Sequence, residues 1–211
     1  MNILECFLYN KLSHSHETQV LVKEVFRKCI HIMSAFVPLF VHFTSSNITI
    51  MTLSFLILVY SISEMLRLHG KRFCIISSIV EIANRERDEK RFSLGPVTLA
   101  LGIIIVLYFF PLRIASIAIF SLSFGDGFAS FIGKLYGKKR FIFEGKTCAG
   151  SIACFVATFI AQILFTHNAT FSIEIALITC LVEALPLKDF DNLLIPVSVA
   201  VSAKLLLSFV L

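Results

Sequence analysis

Residues 97–124 read "VTLALGIIIVLYFFPLRIASIAIFSLSF". Whether this apolar run crosses a membrane once or twice decides the side of every segment after it. A span needs roughly 20 apolar residues. Proline lacks an amide hydrogen and clashes with the preceding helical turn. Pro111-Leu112-Arg113 therefore reads as a tight turn joining two short spans.

The rest of the chain has the same character. Of 211 residues, 57% are hydrophobic, and the mean hydropathy is +0.87. A water-soluble domain cannot bury that much apolar surface. Further spans are expected at about 29–43, 48–63, 151–165, 171–185 and 193–211. The expected fold is an all-α integral membrane protein, a polytopic bundle of about seven transmembrane helices. A cytoplasmic or interfacial segment, 1–28, precedes a single membrane-embedded catalytic domain, 29–211. Spans shorter than 20 residues borrow flanking residues or thin the bilayer locally.

Charge placement orients the bundle. Lys23, Arg27 and Lys28, a loop at 64–96, a loop at 125–150 and a turn at 183–192 fall on one side. Only Arg113 and Glu174 fall on the other. Basic residues mark the cytoplasmic side, so the N-terminus is expected in the cytoplasm and the chain in the cytoplasmic membrane. "MNILECFLY" carries Glu5 where a leader needs basic residues, so no cleaved leader is expected. Basic residues dispersed among loops make no nucleic-acid stripe. The cysteines at 6, 29, 74, 148, 154 and 180 form no CxxC pair and read as small apolar residues. His14-Ser15-His16 is too little for a metal site.

The polar clusters all map to one face. Glu24, Arg27, Lys28 and His31 share a helical face at the start of the first span. Anchoring to anionic headgroups accounts for the two cations, but not for Glu24 or His31. Glu64 and Arg67 close the second span, and their spacing reads as a surface ion pair. The dense run at 85–91 reads as a solvated helical face.

The stretch "SFGDGFASFIGKLYGKKRFIFEGKTCAGS", residues 123–151, holds six of the nine glycines and one aspartate, Asp126. "EGKT" is not a P-loop, because Arg140 stands where the first glycine belongs. Gly125 and Gly127 leave room for a ligand near the backbone. A carboxylate between them suits Mg²⁺. Lys134, Lys138, Lys139, Arg140 and Lys146 are suited to neutralising phosphates. Gly145 and Gly150 bracket Lys146-Thr147, just before a helix whose N-terminus favours anions. In "VEALPLKDFDNLLIPV", residues 182–197, Glu183 ends an apolar helix and Asp191-Asn192 open the next. One aspartate there is accounted for as a helix cap, but Glu183 is not. Ionisable groups at membrane depth are costly and mark function.

These motifs carry a resemblance. G-D-G-x-A-S-x-x-G-x-x-x-G at 125–137, followed by K-T-x-A-G-S at 146–151, resembles the CTP-dependent lipid kinases. That family includes phytol kinase, dolichol kinase and yeast-type diacylglycerol kinase, within a wider phosphatidate cytidylyltransferase-like superfamily. Arg27-Lys28-x-x-His31 is similar to the family's R-K-x-x-H. The Glu183-Ala-Leu-Pro and Asp191-Asn192-Leu segments are similar to its E-x-L-P and D-N-L. Ala149 departs from the glutamate of many relatives. Phe143-Glu144-Gly145 departs from the cytidylyltransferase S-P-K.

The resemblance implies a lipid-alcohol kinase using CTP and Mg²⁺ at the cytoplasmic membrane face. Asp126, Lys146, Glu183 and Asp191 would be catalytic, with Asp126, Glu183 and Asp191 as metal ligands. Gly125, Gly127, Ser130, Gly133, Gly137, Thr147, Gly150, Ser151, Asn192, Arg27, Lys28 and His31 would bind the nucleotide. The expected partners are CTP, a membrane lipid (a polyprenol, a phytol-like alcohol or a diacylglycerol) and, in a homodimer, a second copy. The alternatives are a cytidylyltransferase making CDP-diacylglycerol, and, more distantly, a small transporter or scaffold.

Overall fold

The computed structural model describes residue 25 and residues 27–70, 91–137 and 146–210. His14, His16, Glu24, Lys138, Lys139, Arg140, Gly145 and most of the 85–91 run lie outside the described residues. Among the described residues every element is a helix. Helical residues 27–33 pass through a 3-10 turn at Ser34–Phe36 into α1 (Val37–Phe43). Then follow α2 (Ser46–Leu68), α3 (Gly95–Phe109), α4 (Leu112–Tyr136), α5 (Cys148–Thr166), α6 (Ala169–Glu183) and α7 (Asp191–Val210). Capping is local: the side chains of Ser45, Thr147 and Asn168 accept amide hydrogens at the starts of α2, α5 and α6. Pro96 occupies the first turn of α3, where its missing N–H costs nothing.

Pro111 divides the 97–124 run in two, as its chemistry requires, with Phe110 extended between α3 and α4. The second helix does not stop near Phe124. It continues to Tyr136, so residues 125–136, expected as the start of a loop, are helix. The next helix starts at Cys148. Four helices are long and apolar enough to cross a membrane: Ser46–Leu68, Leu112–Tyr136, Cys148–Thr166 and Asp191–Ser208. Gly95–Phe109 is apolar but shorter.

α4 is the central helix. Its apolar window is 72% buried, against 22% for that of α5. Ile117, Ile119 and Leu122 of α4 pack with Val106 of α3, Ile175 of α6 and Ile195 and Val199 of α7. Outward residues such as Met51, Leu164 and Leu181 are exposed and apolar, as lipid-facing positions must be.

Two features of α4 set up the site. First, Ser121–Asp126 form a π-helical segment. A wider turn of this kind leaves part of the α-helical hydrogen bonding unmade and often marks function. Gln162 of α5 answers it: its Nε2 donates to the Ile117 carbonyl at 2.8 Å and to Ser121 Oγ at 3.0 Å. Second, the glycines face neighbouring helices. A Cβ on Gly125 would lie 2.7 Å from Thr158 Oγ1, and one on Gly150 2.8 Å from the Ala129 carbonyl. Gly127 meets Ile32 and Gly133 meets Thr147 in the same way. These residues bring helices close, which is why glycine there does not break the helix.

The 64/67 pair also differs from expectation. Glu64 is wholly buried. It sits under the 91–95 segment, not on the surface.

Candidate active site

Three sequence-distant motifs meet at the π-helical segment. Asp126, Lys28 and His31 are each at most 3% exposed. The Lys28 ammonium pairs with Asp126 Oδ2 and reaches the Asp126 carbonyl at 3.4 Å. His31 Nε2 lies 3.2 Å from the same Oδ2. The one-turn spacing of Lys28 and His31 lets both address one carboxylate. Ser34, a further turn along, bonds the His31 carbonyl and Ser123 Oγ, each at 2.6 Å. The N-terminal helix is thereby tied to the turn that carries Asp126.

A second ion pair lies nearby. Lys146 Nζ donates to Glu183 Oε1 at 2.6 Å. Thr147, the next residue, caps α5 by accepting the Gly150 amide at 3.1 Å, so the cap fixes the backbone from which Lys146 projects. Burial pulls the Lys146 ammonium down, and the Glu183 carboxylate with its hydrogen bond more than offsets this. The net pKa lies above the ordinary lysine value, so Lys146 stays cationic through the neutral range.

The two pairs share one field. Asp126 and Asp191 both act on Lys146, Asp191 acts on Lys28, and Arg27 acts on Asp126. Asp191 opens α7 and accepts the Asn192 amide at 2.9 Å. Asn192, expected at the nucleotide, is 2% exposed and joins three elements. Its Oδ1 meets His31 Nε2 at 2.9 Å. Its Nδ2 donates to the Gly95 carbonyl at 3.2 Å and to Thr98 Oγ1 at 3.3 Å.

Not every expected residue joins this cluster. Gly125, Gly127, Gly133 and Gly150 serve helix crossings. Gly137 ends α4 with its amide on the Gly133 carbonyl at 3.0 Å. Ser130 is half-buried on α4, one turn beyond Asp126. Ser151 is buried, and its carbonyl accepts the Cys180 thiol at 3.4 Å. Ser34, Ser123 and Gln162 were missed. A lone amide in the apolar run of α5 was the available signal for Gln162; the two serines offered none.

Each carboxylate of the two pairs keeps one oxygen free. Asp126 Oδ1 and Glu183 Oε2 are buried without hydrogen-bond partners, as are His31 Nδ1 and Ser151 Oγ. Buried polar atoms are normally satisfied, so orphans of this kind point to a missing ligand. Among the described residues no three His, Cys, Asp or Glu side chains are grouped to hold a metal by themselves. Asp126, Glu183 and Asp191 are therefore not an all-protein cage. Mg²⁺ commonly takes one or two carboxylates and completes its shell with phosphate oxygens and water. The free oxygens of Asp126 and Glu183 fit that manner of binding.

Comparison with known proteins agrees with the motifs. The chain is 26% identical to "Probable phytol kinase 1, chloroplastic" of Oryza sativa subsp. japonica, over 87% of this chain and 64% of that protein. It is 27% identical to a probable chloroplastic phytol kinase of Zea mays, over 91% of this chain and 70% of that protein. A shorter match, 31% identical over 48% of this chain and 32% of the other, is to CTP-dependent diacylglycerol kinase 1 of Eremothecium gossypii. The curated relatives are lipid kinases. They match the CTP-dependent lipid kinase family that the 125–137, 146–151 and 183–192 motifs resemble. The chain spans just under two thirds of the rice phytol kinase's length. No family model and no solved structure matches it.

Proposed function

We propose that this protein transfers the γ-phosphoryl group of CTP to the hydroxyl of a membrane lipid alcohol, at the cytoplasmic end of the bundle. The observation that carries the reading is the pairing of Lys28 with Asp126 and of Lys146 with Glu183 in one buried field with Asp191. Phosphoryl transfer asks a protein mainly for positioning and charge neutralisation. Two cations and three carboxylates, set against an apolar bundle, supply both. The names of the relatives support the reaction class, and the diacylglycerol kinase supports CTP.

Lys146 would bind the terminal phosphate, where its fixed ammonium offsets the negative charge that grows on the transferring group. Arg27 would neutralise the remaining phosphates. Lys28 and His31 would orient Asp126 through its Oδ2. Mg²⁺, when bound by Asp126 and Glu183, would supply charge neutralisation across the phosphates. Asp191 is the remaining carboxylate and is assigned as the base. It takes the proton of the lipid hydroxyl as that oxygen bonds to the γ-phosphorus. The bond from the γ-phosphorus to the bridging oxygen breaks, leaving CDP and a lipid phosphate. The lipid's chain stays in the bilayer throughout, so the hydroxyl meets the nucleotide at the interface.

The test is turnover by the purified protein in lipid, with CTP or ATP and a panel of polyprenol, phytol-like alcohol and diacylglycerol. CTP-dependent formation of one lipid phosphate, abolished by Asp126→Asn, is the expected result. No phosphorylated lipid from any acceptor would overturn the reading.

A further inference from the structure

Glu64 and Arg67 lie outside the cluster just described, yet they are built with more care than a surface pair. Glu64 is 0% exposed. Arg67 Nε donates to its Oε2 and Arg67 Nη2 to its Oε1, both at 2.8 Å. The Ser93 amide donates to the same Oε1 at 2.9 Å. Arg67 Nη2 also donates to the Arg91 carbonyl at 2.9 Å. Tyr60, one turn earlier on α2, donates its hydroxyl to the Ser93 carbonyl at 3.0 Å. Three side chains of α2 thus hold three backbone groups of residues 91–93. A forked guanidinium–carboxylate contact fixes direction as well as distance.

The held backbone leads directly to the site. Two residues beyond Ser93, α3 begins. The Gly95 carbonyl and Thr98 Oγ1 of its first turn accept Asn192 Nδ2. Asn192 Oδ1 meets His31 Nε2, which faces Asp126 Oδ2. Burying a charged pair is costly. A fold that needed only to close a helix end could do so with apolar contacts.

We infer that Glu64 and Arg67 are positioning residues, which set the first turn of α3 and, through Asn192, the His31–Asp126 contact. This inference rests on the proposed function for the reaction that it tunes. The contacts themselves do not.

The experiment is a double-mutant cycle on the full chain in lipid nanodiscs, with Glu64→Gln, Asn192→Ala and the pair. Glu64→Gln keeps the size and an acceptor for Ser93 but loses the charge that orients Arg67. The two sites do not touch, so independent effects would add. The cycle is read twice: on melting temperature without substrates, and on kcat with CTP and the best lipid alcohol. Coupled sites predict that the double variant loses little more than the worse single one, in both readings. Glu64→Gln alone should lower kcat on the order of tenfold to a hundredfold, as misplacement of a reacting group does, with KM for CTP nearly unchanged. Arg67→Lys keeps the charge, loses the fork and should lower kcat likewise. Tyr60→Phe removes a single hydroxyl and replaces Glu64→Gln in the cycle should that variant not fold. Additive melting shifts, or wild-type kcat in Glu64→Gln, would overturn the inference. Coupled melting shifts without any lipid phosphorylation by the wild type would leave the clamp standing and remove the kinase reading.

Discussion

Asp126 and Lys146 are held by different partners, and that difference sets what their loss should do. Asp126→Asn leaves the Lys28 ammonium buried without its counter-charge, a loss typically costing about 3–5 kcal/mol. Activity and melting temperature should therefore fall together. Adding Lys28→Met to Asp126→Asn removes the stranded charge and should restore the melting temperature but not turnover. Restored turnover would make Asp126 a structural residue. The loss of Lys146 leaves the buried Glu183 carboxylate without its counter-charge, so Lys146→Ala should also melt lower and is assayed well below that temperature. It should lower kcat on the order of a hundredfold or more, while Lys204→Ala, at the far end of α7, should not. Equal and mild effects would reduce Lys146 to a membrane anchor. Asp126 was legible in the sequence because a lone acid between glycines in an apolar chain has no ordinary excuse. Its partner was not, since Lys28 lies 98 positions away and is accounted for equally well as a headgroup anchor.

At the scale of elements, the packing of α4 against α5 decides where the site sits. Gly150 has no room for a methyl group, whereas Gly95 faces open space. Gly150→Ala should therefore lower stability by about 1–3 kcal/mol, the usual cost of overpacking. Gly95→Ala should melt close to the wild type. Similar melting temperatures for the two variants would deny the close crossing. The two-helix reading of residues 97–124 was legible, because proline has one backbone meaning in mid-run. The passage of α4 through residues 125–136 was not. Glycine spacing looks the same whether it admits a ligand or a helix, and only the facing Thr158, Ala129 and Thr147 tell them apart. The π-helical segment was also invisible, since the residue that completes it, Gln162, comes from another helix.

The whole molecule places its charged clusters at one end. Phe110-Pro111 and His167-Asn168 are two-residue connections between helices. Connections this short reverse the chain direction, so the ends near residues 95, 136, 148 and 183 fall together. Single cysteines at positions 69 and 168, in a chain whose own cysteines are replaced by serine, should label from opposite sides of a sealed vesicle. Labelling from one side would break the topology and the cytoplasmic placement with it. The expected sidedness rests on charge asymmetry, since excess lysine and arginine mark the cytoplasmic side, and this labelling tests it. The number of crossings was less legible, since α3 and α6 are shorter than a bilayer is thick and length alone does not classify them.

The reaction itself is tested most directly by the fate of the nucleotide's phosphates. The purified protein is given CTP labelled in the γ-position or, separately, in the α-position, with a lipid alcohol and, in a parallel reaction, with phosphatidate as acceptor. The expected result is γ-label in the lipid and α-label left wholly in CDP. Label from the α-position in the lipid, with release of pyrophosphate, would contradict it and make the protein a cytidylyltransferase.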